Sequence, residues 1–182
     1  MSDQNWETAI AENSEAFSRE FGKLNGSQLN WKPDPKTWSV GQVLEHLLKT
    51  SQSYEPIIAK LLDGSYRTPL MGKITPAVNF FGKMILGAVQ PEAQRKTRTF
   101  PVWEPAQSAV QDGILADFLD SQEVVKNQIK ACRQAGLLAC VVGSPASGMV
   151  VYKLSTAFDI LVAHQRRHFL QAQRILAAQP DG

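Results

Sequence analysis

Cysteine, histidine, net charge and long apolar runs are all scarce in this chain, and each scarcity excludes something. Two cysteines in 182 residues, Cys132 and Cys140, are too few for a disulfide scaffold, and their spacing matches no zinc ribbon. They read as reduced thiols, one near a helix end and one in a loop. Nineteen Lys and Arg against 17 Asp and Glu leave a net charge of +2, too little to argue for nucleic acid or an anionic membrane. The basic residues are scattered except for Arg95, Lys96 and Arg98, a short stretch that reads as a solvated connection. The longest apolar-looking segment, Leu70 to Val89, is interrupted by Lys73, Pro76, Lys83 and three glycines, so it falls short of a membrane span. Met-Ser-Asp-Gln-Asn-Trp-Glu at the start carries no basic n-region and no apolar h-region, so no secretory signal is read there. The expectation is a cytoplasmic protein that partners neither nucleic acid nor membrane.

What is present fits one soluble domain over residues 1–182. Apolar residues make up 43% and charged residues 20%, ordinary globular usage. A chain of this length buries roughly 70% of the surface exposed by its unfolded form, so it needs no metal or disulfide merely to fold.

Apolar spacing predicts four long helices. Trp6, Ile10, Phe17, Phe21 and Leu24 recur in helical steps within Ser2 to Leu24, with Asn13 filling the gap in the stripe. Trp31 to Trp38 is a proline-stiffened loop whose two tryptophans are expected to pack over the end of a bundle. Ser39 and Gln42 form a capping box, and helical periodicity runs on to Leu62, where Asp63-Gly64 stops it. A long crossover from Ser65 to Pro105 holds five of the ten prolines and room for a short helix, Ala77 to Leu86. Gln107 to Gln134 is the third long helix. Met149 to Tyr152 reads as extended, and Thr156 with Asp159 offers a second capping box for a last helix ending near Ala178. The fold class expected is all-α, a four-helix bundle with a long crossover between the second and third helices.

The three histidines carry the chemistry. His164 and His168 are one turn apart, on the seam Leu154, Ala157, Leu161, His164, His168, Gln171 and Ile175, whose alternating steps of three and four mark the inward face of a bundle helix. His46 shares the seam Val43, His46, Thr50, Ser53 and Ile57 on the second helix. Burying an unpartnered polar group costs on the order of 1–3 kcal/mol, whereas one divalent cation satisfies three imidazole nitrogens together. Three protein ligands also leave a coordination position open, as catalytic sites do. Asn13, Thr50, Ser53 and Gln171 fall on inward polar positions, where they can line a substrate pocket or serve as satisfied core polar groups. Arg166 and Arg167 rotate toward the flanks of the last helix.

Two stretches resemble the DinB-like (YfiT-like) metalloenzyme family. Trp38-Ser39-Val40-Gly41-Gln42-Val43-Leu44-Glu45-His46-Leu47 resembles its first signature, a Trp-Ser entry to a helix followed by a ligand histidine. Ala163-His164-Gln165-Arg166-Arg167-His168 resembles its second, the H-x-x-x-H near the C-terminus. The resemblance implies a four-helix bundle, often a homodimer, with zinc or nickel on His46, His164 and His168. It also implies enzymes acting on small-molecule substrates, including S-transferases that use low-molecular-weight thiols such as bacillithiol and mycothiol. The functional expectation is a metal-dependent thiol transferase or hydrolase. The alternative is a non-catalytic, stress-related binding module with a structural metal site.

Overall fold

The computed structural model describes residues 5–93 and 99–180, so the basic stretch Arg95, Lys96 and Arg98 lies outside the described residues. Six helices and one hairpin follow in order: α1 (Trp6–Phe21), α2 (Gly26–Asn30), α3 (Val40–Leu62), α4 (Thr75–Ala88), α5 (Ile114–Gln134), β1 (Val141–Ser144), β2 (Ser147–Lys153) and α6 (Leu154–Ala177). Short 3-10 turns at Leu70–Lys73, Pro101–Trp103 and Leu137–Ala139 punctuate the connections. α1 packs on α5 and α6, and α3 packs on the same two helices, so the four long helices close a ring. No described helix is long and apolar enough to cross a membrane.

Local sequence explains most boundaries. The Ser39 hydroxyl accepts from the Gln42 amide while the Gln42 side chain accepts from the Ser39 amide, so two of the unpaired donors at the start of α3 are satisfied reciprocally. Asn25 and Gln28 repeat the device on α2, a helix the periodicity did not predict. The crossover helix is longer than Ala77–Leu86, spanning Thr75–Ala88. It turns Val78 and Gly82 inward and leaves Phe80 and Met84 exposed.

Two expectations of where helices begin are corrected. α5 begins at Ile114, not Gln107, because the backbone of Val110 is claimed by α2: its amide donates to the Asn30 side chain at 2.7 Å and its carbonyl accepts from it at 3.0 Å. Gly113 then turns left-handed at φ 92°, a conformation that interrupts any helix arriving from upstream. The second capping box does not form. α6 starts at Leu154 straight from β2 with no side-chain cap, and Asp159 instead accepts the Trp6 indole N–H at 2.7 Å. The chain is mostly but not wholly helical. Val141–Ser144 pairs antiparallel with Ser147–Lys153, Val142 opposite Tyr152, and this buries Val142, Val151 and Tyr152.

The core has two apolar halves. One gathers Ile10, Tyr54, Val125, Ile129, Phe158 and Leu161. The other gathers Phe17, Phe21, Val43, Leu47, Phe118 and Ile175. Between them each long helix turns polar: Asn13 on α1, Thr50 and Ser51 on α3, Ser121 and Gln122 on α5, and Gln165 on α6, all buried. Apart from that of Thr50, their side chains form a continuous relay. Asn13 donates to Gln165 at 3.0 Å, Gln165 to Gln122 at 2.6 Å, and Gln122 to Ser121 at 2.9 Å and Ser51 at 3.3 Å. A buried polar layer is tolerated only when its members are paired this way.

Candidate metal centre

α3 and α6 bring the three histidines together. The Nε2 atoms of His46 and His164 lie 3.2 Å apart, and those of His164 and His168 lie 3.0 Å apart. One ligand atom from each of the three falls within 4.8 Å of the others. Two nitrogens bound to one ion at 2.0–2.1 Å and a tetrahedral angle sit about 3.3 Å apart. The cluster therefore has the dimensions of a three-imidazole site, close enough to hold a single ion.

Charge and burial favour the same reading. Burial pushes all three rings below the usual histidine pKa. His164 is pushed well below it, and the other two histidines and Arg167 add to the effect of burial. His168 is driven down to about 3 by burial and then by His46 and Arg167, against an opposing influence of Gln171. Neutral imidazoles at neutral pH keep their ligating lone pairs. Three neutral rings carry three N–H groups and three lone pairs, so any proton spent outside the cluster leaves a lone pair within it unpaired. His46 makes the shortage definite: its Nδ1 lies 2.8 Å from the Trp103 carbonyl, which can only accept, so Nδ1 carries the proton and Nε2 is a bare lone pair.

Two tryptophans shape the surroundings. The Trp38 ring lies 5.0 Å from His46 and stacks 6.3 Å from His168. Trp103 supplies the carbonyl under His46, and its indole N–H donates to the Ser53 hydroxyl at 3.0 Å. His46 and His168 are buried, while His164 keeps partial solvent access.

The four polar residues suggested for a pocket are placed as follows. The Thr50 hydroxyl donates to the His46 carbonyl at 2.8 Å. That of Ser53 donates to the Thr50 carbonyl at 2.6 Å, besides accepting from Trp103. Gln171, one turn beyond His168, favours the charged form of that ring, yet no hydrogen bond closes on the buried His168 Nδ1. Asn13 belongs to the polar relay. Its amide nitrogen serves Val162 and Gln165, its oxygen accepts from Arg166 at 3.3 Å, and it lines a shallow cleft of about 260 Å³ with Pro91, Arg166 and Phe169. The role of Trp103 left no trace in the sequence reading, because the group involved is a backbone carbonyl. Trp38 is visible in the sequence as the Trp-Ser entry to α3 and as a tryptophan expected over the end of a bundle, but not as a neighbour of the histidines.

No curated protein and no solved structure shows significant similarity to the chain. A family model described as the DinB superfamily does match, over residues 9–172, a span that takes in the whole of α3 and all three histidines. The chain belongs to the DinB superfamily.

Proposed function

We propose that this protein binds one divalent ion, zinc or nickel, through His46, His164 and His168, in the four-helix bundle formed by α1, α3, α5 and α6, and that it is a metal-dependent enzyme acting on a small molecule. The observation that carries the reading is the convergence of three neutral ring nitrogens at separations of 3.0 and 3.2 Å. A divalent ion, when bound, supplies Lewis acidity that favours the anionic form of a sulfur or oxygen nucleophile at neutral pH. The chain's own residues do the rest. Trp103 holds His46 in one tautomer, Trp38 walls the cluster with an apolar face, and the partial exposure of His164 marks the side from which a substrate arrives.

Between transfer of a low-molecular-weight thiol and hydrolysis, we favour thiol transfer. A three-nitrogen site beside an apolar indole wall suits a soft sulfur nucleophile and an apolar electrophile. The test starts from untagged protein and its elemental content, followed by assays of thiol-plus-electrophile pairs and of hydrolysable esters and amides. Stoichiometric zinc or nickel with thiol-dependent turnover is the expected result. Metal without turnover on either panel, coupled to a large fall in melting temperature on chelation, would select a non-catalytic module with a structural metal. Metal-free protein with full helicity would end the metal reading.

A further inference from the structure

The crossover returns to the bundle across the face of α3 that carries His46. Five side chains of α3 grip it over four residues. Gln42 donates to the Ala106 carbonyl at 2.6 Å, and Glu45 accepts the Ala106 amide at 2.9 Å. His46 donates to the Trp103 carbonyl at 2.8 Å, Lys49 to the Glu104 carbonyl at 2.9 Å, and Ser53 accepts the Trp103 indole at 3.0 Å. Positions 42, 45, 46, 49 and 53 make a single stripe along the helix. The segment they hold is itself stiff. Pro101 opens the 3-10 turn that leads into it and a buried Pro105 lies within it, so one φ angle inside the segment and one just before it are set in advance.

We propose that Trp103–Ala106 is a positioning strap for the metal site, with Glu45 and Ser53 as the positioning residues that seat it. Because the His46 ring can aim Nε2 at the other two histidines only while Nδ1 rests on the Trp103 carbonyl, the seating of the strap sets the affinity for the ion. By reciprocity, an ion that draws His46 into place holds the strap on α3. The two ends of the device lie on different elements, and among the described residues His46 is the histidine of the cluster that bonds the strap directly. The inference rests on the metal reading above and adds a coupling that reading does not require.

The test uses the full chain and Zn²⁺ in competition with a chromogenic chelator. Glu45→Ala and Ser53→Ala are expected to weaken Zn²⁺ binding by about 10–100-fold, the usual cost of losing an outer-shell partner. Glu45→Gln keeps an oxygen for the Ala106 amide and is expected to bind within about threefold of the parent protein, a rescue that a general loss of packing would not produce. Hydrogen exchange at the Ala106 amide gives a second readout: Zn²⁺ should slow it by about tenfold or more in the parent protein and much less in Glu45→Ala. If Glu45→Ala fails to fold, Trp103→Phe, which removes one N–H and keeps the carbonyl, carries the same expectation as Ser53→Ala. A parent protein that binds Zn²⁺, with folded variants that bind it equally well or with Ala106 exchange indifferent to the ion, would overturn the strap and leave the metal site standing. A parent protein that takes up neither Zn²⁺ nor Ni²⁺ would overturn both.

Discussion

The Nε2 atoms of His164 and His168 lie 3.0 Å apart on one face of α6, with the Nε2 of His46 3.2 Å from the first of them. Neighbouring lone pairs at that range repel unless a proton or a cation lies between them. Burial drives both α6 rings toward the neutral form, in which each keeps one ring lone pair that a shared cation can satisfy. Added Zn²⁺ at about 100 times its dissociation constant should therefore stabilise the fold by about 2.7 kcal/mol. For a chain of this size that is a rise in melting temperature of roughly 5–10 °C. In His164→Ala the rise should vanish while the far-ultraviolet circular dichroism stays helical. An unchanged shift in that variant would place the ion elsewhere.

The polar relay between the two core halves makes a separate prediction. Gln165 donates to Gln122 and accepts from Asn13, so Gln165→Leu strands a buried acceptor on α5 and a buried donor on α1. Leaving a buried group unsatisfied costs about 1–3 kcal/mol, and the variant should lose an amount in or above that range by urea denaturation. The metal-induced rise in melting temperature should survive, because the relay supplies no ligand. Restoring stability with a second apolar substitution at Gln122 would confirm that hydrogen-bond satisfaction sets the cost. A single variant as stable as the parent protein would show that water replaces the lost partner.

Tyr54 and Tyr152 share a buried hydrogen bond at 2.7 Å between their hydroxyls, and burial raises both phenols above the ordinary value of 10.0. For Tyr54 the charge and the hydrogen bond of Tyr152 push further in the same direction. For Tyr152 the bonds from Tyr54 and Ser144 partly oppose it. Above about pH 10 the unfolded chain releases these protons and the folded chain keeps them, so stability falls as pH rises. The pair's contribution is complete below the unfolded value and is lost as pH climbs through the folded ones. Urea midpoints measured at pH 8 and pH 11 should fall less in the Tyr54→Phe, Tyr152→Phe double variant than in the parent protein. Equal falls would assign the alkaline limb to other groups.

How much of this was legible in the sequence depends on whether a feature is local. The Ser39–Gln42 capping box, the α3 periodicity and the one-turn spacing of His164 and His168 are decided within a few residues, and each appears as expected. What the sequence hid was decided between distant segments. Val110 continues the apolar period of α5, but its amide and carbonyl are spent on Asn30, eighty positions away. Thr156 and Asp159 have capping-box spacing, yet the Asp159 carboxylate is taken by Trp6 from the other end of the chain. Val141–Ser144 is too short, and ends in a glycine and a serine, to announce a strand. At the candidate metal centre the three histidines were readable because histidine is rare and chemically distinctive. The Trp103 carbonyl under His46 was not, since every residue carries one.

Two glycines allow the backbone to be tested apart from the site. Gly113, which starts α5, sits at φ 92° with nothing within 4 Å of where a Cβ would stand. Alanine there meets no neighbour, so any loss comes from forcing an L-residue into left-handed backbone, about 1–2 kcal/mol. Gly87 lies inside α4 and has equally open space, but its backbone is helical. The same substitution there should stabilise, by about 0.5–1 kcal/mol, through helix propensity and a less flexible unfolded chain. Paired thermal melts of Gly113→Ala and Gly87→Ala should thus move in opposite directions. If both moved down, α4 would be held in a strained helix that packing imposes against its own preference; if both moved up, the left-handed start of α5 would have to be discarded.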